Sequence, residues 1–214
     1  SPELTSAVLP LSGAAICGWL LLQPVTGSIA DIAASIFGLF YLGFLPSHWL
    51  KLRNMSDVGL TQISHQLPNH LSVSADFGME ITLFACFVIV ATDIGSYCLG
   101  LLFGRNPLSP ISPGKTVEGA VGGFICAIVI GAILGELFNW KLGFLIGGLL
   151  GAFGALFALV GDLTESMMKR NAGLKDSGDA LPGHGGILDR IDSYLFTPAV
   201  VYYIVILLKP LLSR

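Results

Sequence analysis

Apolar positions along the chain fall into long continuous runs rather than alternating patterns. Six runs approach or exceed the ~20 residues of helix needed to cross a bilayer core. They cover about residues 5–22, 29–49, 78–103, 117–138, 141–161 and 191–208. A membrane β-barrel would alternate apolar and polar positions, so the runs predict helices. The fold class expected is all-α, a polytopic transmembrane helical bundle of about six spans. Residues 1–214 are expected to form one membrane-embedded domain, with the chemistry concentrated at about 92–192.

Three polar connections separate the runs. Residues 50–77 are long and mixed, 104–116 are rich in Pro, Ser and Gly, and 162–190 carry the densest charge. Counting spans puts 104–116 and 162–190 on one face of the membrane and 50–77 on the other. His48, His65 and His70 then lie across the membrane from the acidic segment, without metal-ligand spacing. Lys and Arg divide six to five between the two faces, too even for the positive-inside rule to set orientation.

Composition agrees. Of 214 residues, 53% are hydrophobic and 12% charged, and mean hydropathy is +0.78. That charge content is about half the usual soluble value. A net charge of −3 and no basic stripe argue against nucleic acid as a partner. The four cysteines lie inside apolar runs without a CxxC pair and read as packing residues. No positive n-region and cleavage site opens the chain, so no signal peptide is expected. The first residues read as the middle of a longer chain.

With so few charges, each is informative. From Ser166 to Asp192 the chain mixes carboxylates, cations and glycines, including Lys169, Arg170, Lys175, Asp176, His184, Gly185, Gly186, Asp189 and Arg190. Carboxylates hold Mg²⁺, which takes its other ligands from water and substrate phosphates. Lys and Arg neutralise phosphate oxygens, and glycines let backbone N–H groups approach an anion. These are parts of a nucleotide and phosphate site, against the alternative of a solvated loop. If the fifth helix continues past Gly161, Asp162, Glu165, Ser166 and Lys169 share one face. Asp189 and Asp192 share a face where the last helix starts. Two acidic helix ends suit a divalent metal, with Asp162 and Asp189 favoured as ligands. Glu165 and Asp192 divide evenly between ligation and simple capping or pairing.

Asp93 lies inside the third run, roughly 15 Å below its end at ~1.5 Å per residue. An intramembrane carboxylate is a functional candidate, against the alternative of a buried hydrogen-bonded Asp that orders the bundle. Gly114-Lys115-Thr116 lacks the earlier glycine and strand of a P-loop. It remains a helix start, with Lys115 as a phosphate-binding charge and Thr116 as N-cap or phosphate contact.

The spacing of Ser166, Lys169, Arg170, Lys175, Asp176, Pro182, His184, Gly185, Gly186, Asp189, Arg190 and Asp192 resembles the signature of the phosphatidate cytidylyltransferase (CDP-diacylglycerol synthase) family. Asp93 with Tyr97, and Ser112-Pro113 with Lys115-Thr116 and Glu118-Gly119, resemble its two upstream motifs. Gly114 stands where many members carry a second Lys. The resemblance implies CTP and phosphatidate as substrates, CDP-diacylglycerol and pyrophosphate as products, and Mg²⁺ with Asp162 and Asp189 as ligands. It also implies a second, monovalent cation such as K⁺, a homodimer, and a site facing the cytoplasm from a bacterial-type inner membrane. It carries Lys169, Arg170 and Lys175 into the catalytic set, and Lys115, Thr116, Ser166, His184, Gly185, Gly186, Arg190 and Asp93 into substrate binding. Members usually have further N-terminal helices. The rivals are another CTP-dependent membrane lipid phosphotransferase or kinase, and an ion-coupled transporter. A transporter would spread charges along several spans, whereas these cluster at one face.

Overall fold

A computed structural model describes residues 2–24, 27–55, 77–180 and 185–212. Eight α-helices follow in order: α1 (Pro2–Leu21), α2 (Ile29–Gly38), α3 (Ser47–Arg53), α4 (Phe77–Phe103), α5 (Val117–Leu137), α6 (Gly143–Asn171), α7 (Leu188–Ile191) and α8 (Ser193–Leu212). A π-helical stretch, Leu39–Phe44, joins α2 toward α3, so that 29–53 forms one irregular span. Among the described residues, five helices are long and apolar enough to cross a membrane, and Ala7–Leu21 is a shorter apolar helix. The chain is a multi-pass helical membrane protein, as the apolar runs predict.

Two boundaries differ from expectation. The fifth apolar run ends at Gly161, but α6 continues to Asn171. At ~1.5 Å per residue, its 29 residues measure about 43 Å, longer than the ~30 Å hydrocarbon core. The extra turns carry Asp162, Glu165, Ser166 and Lys169 beyond the apolar run while keeping them helical. The second difference is in 104–116, expected to be a plain loop. Pro107–Ser109 (β1) and Ser112–Thr116 (β2) pair antiparallel, with Pro107 opposite Thr116 and Ser109 opposite Ser112. The bundle itself is helical, as expected, and this short hairpin is an addition at its edge. Residues 56–76, with His65 and His70, lie outside the described residues.

The main core joins α4, α5, α6 and α8 through Ile81, Phe84, Val88, Ala127, Leu150, Val201 and Val205. A second cluster packs Tyr41 and Leu45 against Leu195 and Ala199 of α8. Between α5 and α6 the contact is backbone on backbone. A Cβ on Gly147 would be driven into the Gly131 carbonyl, and one on Gly135 into the Gly143 carbonyl. Gly151 is held in the same way against the Ala127 carbonyl. The four-residue spacing of these glycines places them on one face of each helix. Pairing 135 with 143, 131 with 147 and 127 with 151 makes the helices antiparallel.

Adjacent substitutions separate this seam from ordinary glycine effects. Gly147→Ala should destabilise the protein by about 1–3 kcal/mol, the usual cost of overpacking. Gly148→Ala, whose Cβ would meet nothing nearer than 3.6 Å, should be neutral or stabilising by up to about 1 kcal/mol. Thermal melts in one detergent check the pair, and equal shifts would contradict the seam.

Candidate active site

The α5–α6 seam brings the start of α5 beside the far end of α6. Lys115 is the penultimate residue of β2, and Thr116 caps α5 by accepting a hydrogen bond from the Gly119 N–H at 3.1 Å. Glu118, in the first turn, accepts from the Arg105 and Asn106 backbone N–H groups at 3.1 and 3.2 Å and from Asn106 Nδ2 at 2.7 Å. These bonds tie the residues that enter the hairpin to the first turn of α5, into which the other strand runs directly. Lys115 Nζ is thereby set directly against Asp162 Oδ2, 47 positions further along the chain.

Lys115 and Asp162 border a cavity of about 670 Å³. Its walls come from α4 (Asp93, Ser96, Tyr97), the hairpin (Leu108, Gly114), α6 (Leu159, Lys169) and the region entering α8 (Asp189, Arg190, Asp192). Thr116 and Asp176 also line it. Burial pushes the Lys115 ammonium below its ordinary value, while the carboxylates of Asp192, Asp93 and Glu165 push back.

Asp189 organises the far wall. Its Oδ1 accepts from Lys169 Nζ at 2.5 Å. Its Oδ2 accepts from the Ser177 N–H at 2.9 Å, the Ser177 hydroxyl at 2.8 Å and the Gly186 N–H at 2.8 Å. Glycine is required here by space: a Cβ on Gly186 would strike the Ser177 hydroxyl. Gly185 has φ +80°, in the left-handed region that favours glycine. The anion approached by this glycine pair is thus Asp189 itself. Asp192 accepts from the Ser193 N–H at 2.8 Å.

The structure brings Asp93, Lys115, Thr116, Asp162, Lys169, Asp189, Arg190 and Asp192 to one cavity. Glu165 and Ser166 are buried behind it rather than lining it. Arg170 is exposed, and it donates to the Ile111 carbonyl at 3.4 Å and the Leu174 carbonyl at 3.3 Å. It holds the hairpin tip, a contact no sequence motif signals. Lys175 is exposed outside the lining. His184 and Pro182 lie outside the described residues.

Among the described residues, no cluster of three or more His, Cys, Asp or Glu side chains could hold a metal ion. The donor set nevertheless suits Mg²⁺, which needs few protein carboxylates when phosphates and waters complete its shell. The Lys115 ammonium against Asp162 shows that this position accepts a cation.

Comparison with known proteins agrees with this chemistry. The model of the cytidylyltransferase family matches residues 4–208. A phosphatidate cytidylyltransferase of Synechocystis sp. is 46% identical over 222 residues, covering 100% of this chain and 75% of that protein. Phosphatidate cytidylyltransferase 4, chloroplastic, of Arabidopsis thaliana is 44% identical, covering 86% of this chain and 48% of its own length. A phosphatidate cytidylyltransferase of Bacillus subtilis is 38% identical, with 85% of this chain and 61% of that protein aligned. The chain spans about half to three quarters of the length of these relatives.

The shared cavity fixes the sidedness of two loops. Single cysteines at Pro110, in the exposed hairpin tip, and at exposed Asp179 should react with an impermeant maleimide from the same side of sealed vesicles. The background would lack the four native cysteines. Labelling from opposite sides would contradict the arrangement.

Proposed function

Because the chain belongs to the cytidylyltransferase family, we propose that it catalyses CTP-dependent cytidylylation of phosphatidate, releasing pyrophosphate. The observation that carries this reading is one cavity walled by Asp93, Lys115, Asp162, Lys169, Asp189, Arg190 and Asp192. A phosphate oxygen of phosphatidate attacks the α-phosphorus of CTP. A new P–O–P bond forms, and the bond from the α-phosphorus to the bridging oxygen breaks. That oxygen leaves on pyrophosphate with the electron pair. The attacking oxygen is already anionic, so no general base is required. The barrier is the meeting of two polyanions, and neutralising groups lower it.

Lys115, at the start of α5, suits a phosphate clamp for CTP or the leaving pyrophosphate. Thr116 lies beside it, and Arg190 adds a guanidinium from the wall that carries Asp189. Lys169 faces the cavity from α6. Arg170 supports the hairpin, and Lys175 and His184 complete the family signature. Asp162 and Asp189 would hold Mg²⁺, with Asp192 adjacent, and the ion would neutralise charge developing on the phosphates. Asp93 and Asp192 offer further carboxylates for a monovalent cation. CTP is an aqueous substrate made in the cytosol, so the cavity faces the cytoplasm of a bacterial-type inner membrane. The chain works as a homodimer. Charges confined to one end of the helices favour an enzyme over a transporter.

Purified protein with Mg²⁺ should convert CTP labelled at the α-phosphate, together with phosphatidate, into a chloroform-soluble labelled lipid. Label remaining aqueous at full protein folding would contradict the reading.

Two variants divide the roles. Asp162→Asn should lower activity by about 10²-fold, the scale of losing a key electrostatic group, and should change the Mg²⁺ response. Lys115→Ala should raise the CTP KM, lower kcat, or both, with the Mg²⁺ response little changed. Saturation curves in CTP and in Mg²⁺ check both. Unchanged CTP kinetics in Lys115→Ala would leave that residue an interfacial anchor.

A further inference from the structure

Glu165 sits on α6 between Asp162 and Lys169, and it is 1% exposed. A carboxylate buried so deeply is costly unless it is paired. Its Oε2 lies 2.6 Å from Lys169 Nζ. The contact is an ion pair, and among the described residues neither carboxylate oxygen makes a well-directed hydrogen bond. The same ammonium lies 2.5 Å from Asp189 Oδ1. Asp189 in turn gathers Ser177 and Gly186 on its other oxygen. Glu165 therefore stands at the back of a chain of contacts running through Lys169 and Asp189 to Ser177 and Gly186, between α6 and α7.

An ammonium has three N–H donors. One is committed to Asp189, the Glu165 carboxylate holds the ammonium by charge, and Lys169 itself lines the cavity. We propose that Glu165 is a positioning residue that fixes the Lys169 ammonium so that a remaining N–H faces a phosphate oxygen of substrate. Glu165 does not line the cavity, and the cation it meets is Lys169, so it acts through that lysine rather than as a ligand of Mg²⁺. With a neutral amide in place of the carboxylate, Lys169 would be drawn wholly toward Asp189. The phosphate contact and the loop cradle would then both shift.

The inference rests on the proposed reaction for its kinetic part, but its structural part can be measured without activity. Thermal stability is compared for wild type, Glu165→Gln, Lys169→Gln and the double variant. Lys169→Gln leaves the Glu165 carboxylate buried and unpaired, whereas the double variant leaves no such charge. The double variant should therefore lose clearly less than the sum of the single losses, and additive losses would overturn the pairing. In the conversion assay, Glu165→Gln should lower kcat by about tenfold or more, in line with the cost of small displacements at a reacting centre. Its Mg²⁺ half-saturation should stay within about twofold of wild type; a tenfold rise in the Mg²⁺ requirement would make Glu165 a metal ligand and overturn the proposal. Separate saturation curves for CTP and phosphatidate identify which phosphate Lys169 meets. Glu165→Asp keeps the charge but shortens the reach, so kcat should fall between wild type and Glu165→Gln. It also serves where the glutamine variant does not fold, and wild-type kcat in Glu165→Asp would contradict the positioning role. If wild type shows no conversion while the stability coupling is present, the proposed reaction fails and the pairing stands.

Discussion

The close approach of α5 and α6 is the constraint on which the rest of the structure depends. Because Gly131, Gly135, Gly143, Gly147 and Gly151 lack side chains, the two backbones meet directly over much of the span. Lipid tails give little hydrophobic reason for helices to associate, so such van der Waals contact must supply the attraction. The seam also acts as a ruler. It fixes which turn of α6 stands beside the first turn of α5, and so sets Lys115 on Asp162. The hairpin, tied to α5 through Glu118, is positioned by the same contact.

The second constraint is the cost of charge in an apolar molecule. The sequence has 25 formally charged side chains, 11 basic and 14 acidic. Those at the cavity are arranged so that opposite charges meet: Lys115 with Asp162, and Lys169 with Glu165 and Asp189. Backbone N–H groups of Ser177, Gly186 and Ser193 supply the remaining donors to Asp189 and Asp192. Such a network is held in place by its own pairing and presents fixed charges to incoming phosphates. A substrate polyanion meets a preorganised set of cations rather than mobile side chains, which is the condition for strong electrostatic stabilisation.

Much of this was legible in the chain. Continuous apolar runs gave the helices, and the i, i+3, i+4, i+7 spacing placed Asp162, Glu165, Ser166 and Lys169 on one face before α6 was seen to extend through them. What local pattern could not supply was the partner of each charge. The Lys115–Asp162 contact spans 47 positions and depends on helix registration. Glu165 has the same spacing signal as Asp162, yet one is closed off and the other faces the cavity; rotation of α6 against its neighbours decides between them. The hairpin was missed because its strands are three and five residues long and Pro- and Gly-containing, a composition that reads as loop. Gly185 and Gly186 read as an anion cradle, and the anion is Asp189 of the same chain, a closure that spacing alone does not reveal. The π-helical stretch at Leu39–Phe44 has no sequence mark beyond an apolar run.

In the proposed reaction one cavity, held between the hairpin, α6 and the start of α8, receives the nucleotide. The most direct test is a structure of the protein in lipid nanodiscs with Mg²⁺ and a non-reactive CTP analogue. The triphosphate should lie between Lys115 and the Asp162–Asp189 wall, with the Lys115 ammonium turned from Asp162 toward phosphate. Nucleotide bound elsewhere, with the Lys115–Asp162 pair intact and the cavity free of phosphate, would contradict it.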